Sequence, residues 1–332
     1  MKTLRLHGKK DLRLHDEPKP TPGPGEALVR VTAVGLCGSD VHWYAEASIG
    51  DARLERPLVL GHEFAGVVES SGQRVAVDPA VPCGACEFCI EGNPNLCTAL
   101  RFAGHAMDDG ALRETMAWPT HCLHPLPDAL SDADGAMLEA LGVAIHAVDL
   151  GHLKLGSTVG VFGCGPIGLL VLQLARAAGA TQVFATEKLS HRVEAARSLG
   201  ATAVFWATDG QEAGDVLAAT GGRGVDVAFE VAGENEAVDA AIAATRRGGR
   251  VVLVGIPPDD RTSFAASVAR RKGLTIKLSR RMKHVYPRAI KLVESGLVDV
   301  RSLVTHHFPL IKSEEAFALA QRRAGIKVII EP

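Results

Sequence analysis

The sequence predicts an α/β protein in which a doubly wound parallel sheet forms one of two domains. The first observation is the alternation of strand-like and helix-like segments from Thr158 to about Ser279, which is typical of parallel sheets joined by right-handed crossovers. The second is the length of 332 residues, which allows two domains with sizeable cores. The third is a glycine-rich turn between an apolar run and a helix-like segment near the middle of the chain.

That turn has the pattern G-x-G-x-x-G, formed by Gly163, Gly165 and Gly168. It follows the apolar run 159–162 and opens a helix-like segment, 167–178. The first glycine permits a tight turn, the second lets backbone approach a pyrophosphate, and the third lets helix and strand pack closely. Because the helix N-terminus also offers unpaired N–H groups to phosphates, the pattern predicts a dinucleotide site rather than an ordinary turn.

An acidic residue ends the next strand-like run. Glu187 lies nineteen residues after Gly168, where a carboxylate can accept hydrogen bonds from both ribose hydroxyls and repels a 2′-phosphate, so it favours NAD over NADP. Arg192 either covers the adenosine phosphate or ribose or is a solvated helix arginine. Two residues at strand ends, Val231 and Val254, are expected to line the nicotinamide pocket. The predicted cofactor-binding residues are Gly163, Gly165, Pro166, Ile167, Gly168, Glu187, Arg192, Val231 and Val254.

Composition excludes several classes of protein. Lys and Arg total 36 against 38 Asp and Glu, which gives no basic footprint for nucleic acid. No apolar run reaches transmembrane length, and the N-terminus lacks a signal-peptide core, so no membrane partner is expected. Four of the seven cysteines are clustered at metal-ligand spacing, which indicates metal rather than disulfides and hence a reducing cytoplasm.

The clustered cysteines follow the pattern C-x2-C-x2-C-x7-C, at Cys83, Cys86, Cys89 and Cys97. Four thiolates in one short loop close a tetrahedral site and leave no position for substrate, so the pattern predicts a structural zinc. An iron–sulfur cluster uses similar cysteine runs, and a zinc ribbon can bind nucleic acid. The first alternative lacks any redox context, and the charge balance argues against the second.

A second group of ligand types occurs earlier in the chain. Strand-like segments lead into loops that carry Cys37, His62 and Glu63, and three protein ligands with an open fourth position are typical of catalytic zinc. Considered alone, each of these residues also fits a buried thiol, a satisfied core histidine or a solvated acid.

Taken together these motifs resemble those of the zinc-dependent medium-chain dehydrogenases. The resemblance rests on the Gly61-His62-Glu63-x-x-Gly66 segment, the upstream Cys37-to-His42 segment, the four-cysteine loop and the later glycine turn. Within that superfamily the sequence most resembles the sorbitol (polyol) dehydrogenase branch, in the segments 37–44, 108–110 and 304–310 and in Glu139.

This resemblance implies a fold and a division into domains. A GroES-like, β-rich catalytic domain, residues 1–143 with 281–332, would carry a structural-zinc lobe at 80–100. A Rossmann domain, residues 144–280, would interrupt it and bind NAD. The chain is also shorter than the family norm between Gly66 and Arg74, which predicts a short hairpin there. Relatives of this kind form dimers or tetramers through the edge of the Rossmann sheet, so a homo-oligomer is expected.

The resemblance also implies roles for individual residues. Cys37 and His62 would be zinc ligands, with Glu63 a third, directly or through water, and Glu139 a further one. Ser39 and His42 would relay the proton, and Arg281 would bind substrate hydroxyls.

These roles imply the zinc-dependent oxidation of a secondary alcohol of a polyol, with hydride transfer to NAD. A threonine 3-dehydrogenase or another zinc alcohol dehydrogenase shares nearly every motif, and a pocket with a free cation near Arg281 would suit a carboxylate. A non-catalytic NAD-binding sensor that has lost the metal at Cys37 is the alternative from a different class.

Overall fold

The computed structural model describes residues 1–105 and 107–332. The described chain divides into two compact units, Met1–Gly142 with Lys283–Pro332 and Val143–Met282. We propose that the first of these units is the zinc domain and that the second is the cofactor domain.

Strands and helices are numbered along the chain. The strands are β1 Lys2–Gly8, β2 Asp11–Asp16, β3 Glu26–Gly35, β4 Ser48–Ile49, β5 Ala52–Arg53, β6 Glu63–Val68, β7 Arg74–Val77, β8 Ala80–Val81, β9 Arg101–Phe102, β10 Thr115–Pro119, β11 Leu123–Pro125, β12 Thr158–Phe162, β13 Gln182–Glu187, β14 Ala203–Trp206, β15 Val225–Glu230, β16 Thr245–Leu253, β17 Thr275–Leu278, β18 Val304–Pro309 and β19 Lys327–Glu331. The α-helices are α1 Gly38–Glu46, α2 Glu87–Ile90, α3 Asp132–Gly151, α4 Pro166–Ala177, α5 Ser190–Ser198, α6 Glu212–Ala219, α7 Asn235–Ala244, α8 Ala266–Lys272, α9 Tyr286–Glu294 and α10 Ser313–Gln321.

The first unit is built on a mixed sheet with the strand order β11-β7-β6-β3-β19-β18, and β10 also pairs with β3. β3 pairs antiparallel with β6 and with β19, so the C-terminal strand lies in the same sheet as the strands on either side of the predicted zinc ligands. Alternating apolar residues of β3 face a core that includes Leu58, Phe64 and Trp43.

The predicted short hairpin is present between β6 and β7. Only residues 69–73 join the two strands, and Gly72 has a φ of +72°, a left-handed value that glycine adopts without strain. The N–H of Val68 donates to the carbonyl of Gln73 at 2.9 Å. The turn lies at the far end of β6 from Glu63, its first residue.

The second unit is a six-stranded parallel sheet with the order β14-β13-β12-β15-β16-β17, which confirms the doubly wound fold. The strand order reverses between β12 and β15, and the crevice outside the carboxyl ends of such neighbouring strands is where α/β sheets bind ligands. Across the described chain, four α-helices were not predicted: α1 and α2, which lie in segments expected to be loops, α8, and the twenty-residue α3, which lies in a stretch that the sequence analysis left without a helix.

Candidate active site

Three ligand-type side chains meet where β3, α1 and β6 come together. Cys37 is the N-cap residue of α1, just after β3, whereas His62 immediately precedes β6 and Glu63 begins it. Strand pairing sets Gly35 opposite Glu63, so two segments that are distant in sequence become neighbours. The ligand atoms of Cys37, His62 and Glu63 all lie within 4.8 Å of one another. The arrangement therefore offers a thiolate, an imidazole and a carboxylate to a single metal ion.

Asp40 supports this group, and the sequence analysis gave it no role. Its carboxylate is fully buried and accepts hydrogen bonds from the N–H groups of Cys37 at 2.9 Å and of Gly61 at 3.1 Å. Its Oδ1 lies 3.6 Å from Nδ1 of His62. Burial would raise the pKa of Asp40, but His62 and the N–H donors lower it overall. The sequence did contain a signal for this role: Asp40 is the third residue after the N-cap Cys37, where an acidic side chain can accept from the N-cap N–H.

Lys327 is a second residue that the sequence analysis missed. Its Nζ lies 2.5 Å from Oε2 of Glu63 and 3.1 Å from the carbonyl oxygen of Leu36. The two charged side chains are only 2% and 1% exposed. Burial opposes the ammonium charge, but Glu63 and Cys37 raise the pKa of Lys327 overall. A lysine that begins an otherwise apolar strand, 327–330, was the signal for a buried ion pair, because an unpaired buried lysine is costly.

The remaining residues predicted for chemistry in this unit are Glu139, Ser39 and His42. Glu139 is buried within α3, and its charge also raises the pKa of Lys327. In the described chain, Glu139 is not part of the group of ligand atoms formed by Cys37, His62 and Glu63. Ser39 and His42 are both half-buried on α1, and their spacing of three residues puts them on one face of the helix. The roles predicted for these three residues stay predictions.

The four clustered cysteines form a second candidate metal centre. Their Sγ atoms all lie within 4.8 Å of one another, in the set Cys83, Cys86, Cys89 and Cys97. The N–H of Cys86 donates to Sγ of Cys83, and the N–H of Cys83 donates to Sγ of Cys97, each at 3.3 Å. The N–H groups of Ala85 and Cys86 lower the pKa of Cys83, which favours the thiolate that binds metal, whereas burial raises the pKa of Cys89. Four sulfur donors at this separation fit a closed tetrahedral zinc site.

In the second unit the glycine turn joins β12 to α4. Gly163 has a φ of +104°, and a Cβ at Gly168 would lie 2.0 Å from the carbonyl oxygen of Gly163, so a side chain at either position would break the turn. A Cβ at Gly165 would meet only the Arg192 side chain, at 3.6 Å. Pro166 begins α4, where its missing N–H costs nothing. This is the backbone shape that a pyrophosphate requires at a helix N-terminus.

Glu187 stands at the carboxyl end of β13, beside this turn. Its Oε2 accepts from the N–H of Cys164 at 2.9 Å, and its Oε1 accepts from Lys188 at 2.7 Å and Leu189 at 3.0 Å. The carboxylate therefore fixes the turn and the start of α5, and its contact with a ribose stays a prediction. The Arg192 guanidinium lies next to Gly165, and its contact with the cofactor stays a prediction.

The other predicted nicotinamide contacts lie at the ends of β15 and β16. The N–H of Val231 donates to the carbonyl of Phe162 at 3.0 Å, and that of Val254 donates to the carbonyl of Glu230 at 2.8 Å. The buried Glu230 carboxylate, another residue that was not predicted, accepts from the N–H groups of Ala232 at 2.8 Å and Gly233 at 2.6 Å. Burial raises the pKa of Glu230. The Glu230 carboxylate therefore fixes the loop after β15, and its backbone carbonyl fixes the start of the loop after β16.

Comparison with known proteins identifies the family to which the chain belongs. The model of the alcohol dehydrogenase GroES-like domain matches residues 23–128, and the zinc-binding dehydrogenase model matches residues 166–295. The chain is 38% identical to a sorbitol dehydrogenase of Macaca fascicularis, over 99% of this chain and 95% of the relative. It belongs to the zinc-dependent medium-chain dehydrogenases, near their sorbitol dehydrogenase branch.

Solved structures of such dehydrogenases share the whole fold. An Escherichia coli oxidoreductase/dehydrogenase of unknown specificity superposes with a TM-score of 0.94 at 31% identity, over 99% of this chain and 98% of the other. A zinc-binding dehydrogenase from Sinorhizobium meliloti bound to NADP superposes with a TM-score of 0.89 at 32% identity, over 100% and 99% of the two chains. The dehydrogenase is thus an alcohol oxidoreductase that uses Zn²⁺ and NAD(P).

Two further predictions concern Arg281 and membrane association. Arg281, predicted to bind substrate, belongs to the second unit and has a left-handed φ of +53°; its role stays a prediction. In the described residues, no helix is long and apolar enough to cross a membrane.

Proposed function

We propose that the enzyme oxidises a secondary alcohol of a polyol to the ketone, with zinc held by Cys37, His62 and a carboxylate, and with NAD as the hydride acceptor. The observation that carries the proposal is the group of ligand atoms from Cys37, His62 and Glu63 within 4.8 Å of one another. Three protein ligands leave a coordination position for substrate, as catalytic zinc requires.

The chemistry divides between the metal and the chain. Bound zinc supplies Lewis-acid stabilisation of the developing negative charge on the substrate oxygen. Ser39 accepts the alcohol proton and His42 passes it to solvent, which is a general-base relay. Asp40 orients His62 and Cys37 through its contacts with both, as a carboxylate behind a ligating histidine does. Glu139 is proposed as a further ligand, supplied by α3.

The glycine turn and Glu187 hold the cofactor. Gly163, Gly165 and Gly168 let backbone approach the pyrophosphate at the start of α4, and Pro166 and Ile167 form the first turn of that helix. Glu187 favours NAD because its carboxylate would repel the 2′-phosphate of NADP. Val231 and Val254 are proposed to line the nicotinamide pocket.

A polyol is the substrate class that the similarity to sorbitol dehydrogenases favours. Arg281 would bind hydroxyl groups with its fork of N–H donors. Threonine 3-dehydrogenase activity is the second candidate, because the same guanidinium would bind a carboxylate. The presence of all candidate ligands, Cys37, His62, Glu63 and Glu139, argues against a non-catalytic sensor.

A homo-oligomer in a reducing cytoplasm completes the proposal. β17 is the edge strand of the parallel sheet, and Leu278 on it is 76% exposed, which suits pairing with a second copy to give a dimer or, with further contacts, a tetramer. None of the seven cysteines is paired in a disulfide, which supports a reducing compartment.

Nicotinamide reduction by the zinc-replete protein tests the substrate class. C4 to C6 sugar alcohols, simple primary alcohols and threonine are offered with NAD and with NADP in parallel. The proposal predicts turnover on a sugar alcohol with NAD. Turnover on threonine or a simple alcohol alone would keep the zinc chemistry but overturn the polyol assignment, and equal rates with NADP would overturn the role of Glu187.

A further inference from the structure

The ion pair between Lys327 and Glu63 brings a cation into contact with a candidate metal ligand. Lys327 Nζ lies 2.5 Å from Glu63 Oε2, and this carboxylate also belongs to the group of ligand atoms with Cys37 and His62. The Lys327 ammonium and a bound metal ion would therefore both interact with the Glu63 carboxylate. A charge-assisted hydrogen bond of this length in a buried place is strong, so it withdraws negative charge that the carboxylate would otherwise offer to the metal.

The surroundings keep this ion pair in one arrangement. The carbonyl oxygen of Leu36 accepts a second hydrogen bond from Lys327 Nζ at 3.1 Å. A Cβ at Gly35 would lie 2.4 Å from Glu63 Oε2, so the carboxylate fits only because residue 35 is a glycine. The N–H of Leu36 also donates to the carbonyl of Val328 at 2.9 Å, which fixes β19 beside the end of β3. The contact therefore does not depend on a mobile surface side chain.

Lys327 is the cation in a site that holds several negative charges. Asp40, Glu63 and Glu139 are all buried carboxylates, and Cys37 contributes a thiolate when metal is bound. Without the cation, the Glu63 carboxylate would be a buried anion with no partner, and its most favourable partner would be the metal. A full carboxylate ligand beside Cys37, His62 and Glu139 would fill four positions and leave none for a substrate.

We infer that Lys327 is a positioning residue that shares the Glu63 carboxylate with the metal and keeps Glu63 a weakly held ligand. This inference rests on the proposed zinc site. It gives the two carboxylates different roles: Glu63 is displaced when substrate binds, whereas Glu139, the further ligand of the proposed site, stays in place. Removing the cation should therefore tighten the hold of the protein on the metal and weaken the binding of substrate.

The test measures how fast zinc leaves the protein in excess chelator. Two zinc ions are expected per chain, and the one of interest is identified by its loss in Cys37→Ser. The zinc held by the four cysteines stays in that variant. In Lys327→Met this zinc is expected to leave about tenfold more slowly than in the parent protein, a coupling of ordinary size for charged neighbours in contact. The KM for the alcohol should rise. Lys272→Met is the matched control, because Lys272 Nζ caps the carbonyls of Ile242, Ala243 and Thr245 and contacts no carboxylate in those bonds.

Glu63→Gln makes the test independent of whether Lys327→Met folds. The isosteric amide is a poor zinc ligand, so a weakly held Glu63 predicts zinc release within about twofold of the parent protein in Glu63→Gln. The double variant should lose the slow release of Lys327→Met. Release from Lys327→Met that is unchanged or faster, or release from Glu63→Gln that is tenfold faster, would overturn the inference. Equal zinc content in the parent protein and Cys37→Ser would instead overturn the proposed zinc site.

Discussion

Asp40 Oδ1 lies 3.6 Å from Nδ1 of His62, and the same carboxylate accepts a hydrogen bond from the Cys37 N–H at 2.9 Å. One buried side chain therefore holds both the imidazole and the segment that carries the thiolate. Because Asp40 is the third residue of α1, the helix start and the candidate metal site depend on one group. A carboxylate in this position fixes the orientation of a ligating histidine and increases its basicity.

Asp40→Asn should therefore weaken metal binding without removing a ligand. The amide cannot accept both N–H hydrogen bonds and also act as a full negative charge beside His62, so we expect zinc affinity at this site to fall by about 10- to 100-fold. Competition with a chelator of known affinity measures the change. Asp11→Asn, at an exposed carboxylate paired with Arg13, is the control. Zinc affinity equal to that of the control would contradict the role of Asp40.

Gly168→Ala should abolish cofactor binding and leave the metal sites intact. The added Cβ would lie 2.0 Å from the Gly163 carbonyl oxygen, so the turn must move away from the shape that a pyrophosphate requires. We expect NADH affinity to fall at least about 100-fold, as measured by quenching of tryptophan fluorescence, since an overpacked turn commonly costs a few kcal/mol. Zinc content should not change.

Gly214→Ala provides the matched control for that variant. Gly214 lies within α6, and nothing is within 4 Å of an added Cβ. Alanine is a better helix former than glycine by up to about 1 kcal/mol, so Gly214→Ala should bind NADH normally and be slightly more stable. An equal loss of NADH affinity in the two variants would show that the effect of Gly168→Ala is not specific to the turn.

Glu187→Ser should shift the cofactor preference towards NADP. The substitution removes the charge that repels a 2′-phosphate, while Arg192 stays beside Gly165. We expect the ratio of kcat/KM for NAD to that for NADP to fall at least about tenfold. Affinity for both cofactors should also fall, because the N–H of Cys164 loses its acceptor, so the ratio is the informative quantity. Glu194→Ser, at an exposed glutamate on the following helix α5, should leave the ratio unchanged; a ratio unchanged in Glu187→Ser would contradict the assignment.

His124 makes the stability of the first unit depend on pH. Its ring stacks on Tyr286 with centroids 4.5 Å apart, and burial, with the charge of His284, lowers the pKa of His124 to about 4. The folded state therefore favours the neutral ring, so this contribution is complete above the ordinary pKa of about 6.5 and is lost as pH falls through about 4.

Removing that titration should flatten the dependence on pH. In His124→Phe, which keeps an aromatic ring against Tyr286, the free energy of unfolding should fall less between pH 7 and pH 4.5 than it does in the parent protein. Urea unfolding at several pH values measures the difference. His121→Gln, at an exposed histidine, should behave as the parent does, and parallel curves for His124→Phe and the parent would contradict the role of His124.

Local patterns in the sequence were enough to predict most of the second unit, although they missed α8. The strands and helices alternate as predicted, and α4 begins and ends one residue before the predicted helix-like segment 167–178, because buried parallel strands and amphipathic helices each leave a clear periodicity. The structure also brings the four cysteines together, at a spacing that needs only one short loop.

The features that the sequence analysis missed are of two kinds. One depends on pairing between distant strands, and the other on a helix cap that was overlooked. The Lys327–Glu63 contact follows from the pairing of β3 with both β6 and β19, and no local pattern encodes that register. The helix α3 did have a signal. The N–H of Asp134 donates to Ser131 Oγ at 3.1 Å, and the Ser131 N–H donates to Asp134 at 2.8 Å, which is the reciprocal arrangement of a capping box.

Zinc content and polyol oxidation measured on the same preparations of the parent protein and Cys37→Ser test the central claim most directly. The account predicts about two zinc ions per chain in the parent and one in the variant, because the four-cysteine site is independent of Cys37. It also predicts that the variant loses alcohol oxidation by at least about a thousandfold while its NADH affinity stays the same. Undiminished turnover in Cys37→Ser, with the zinc content unchanged, would contradict the claim that this thiolate holds the catalytic metal.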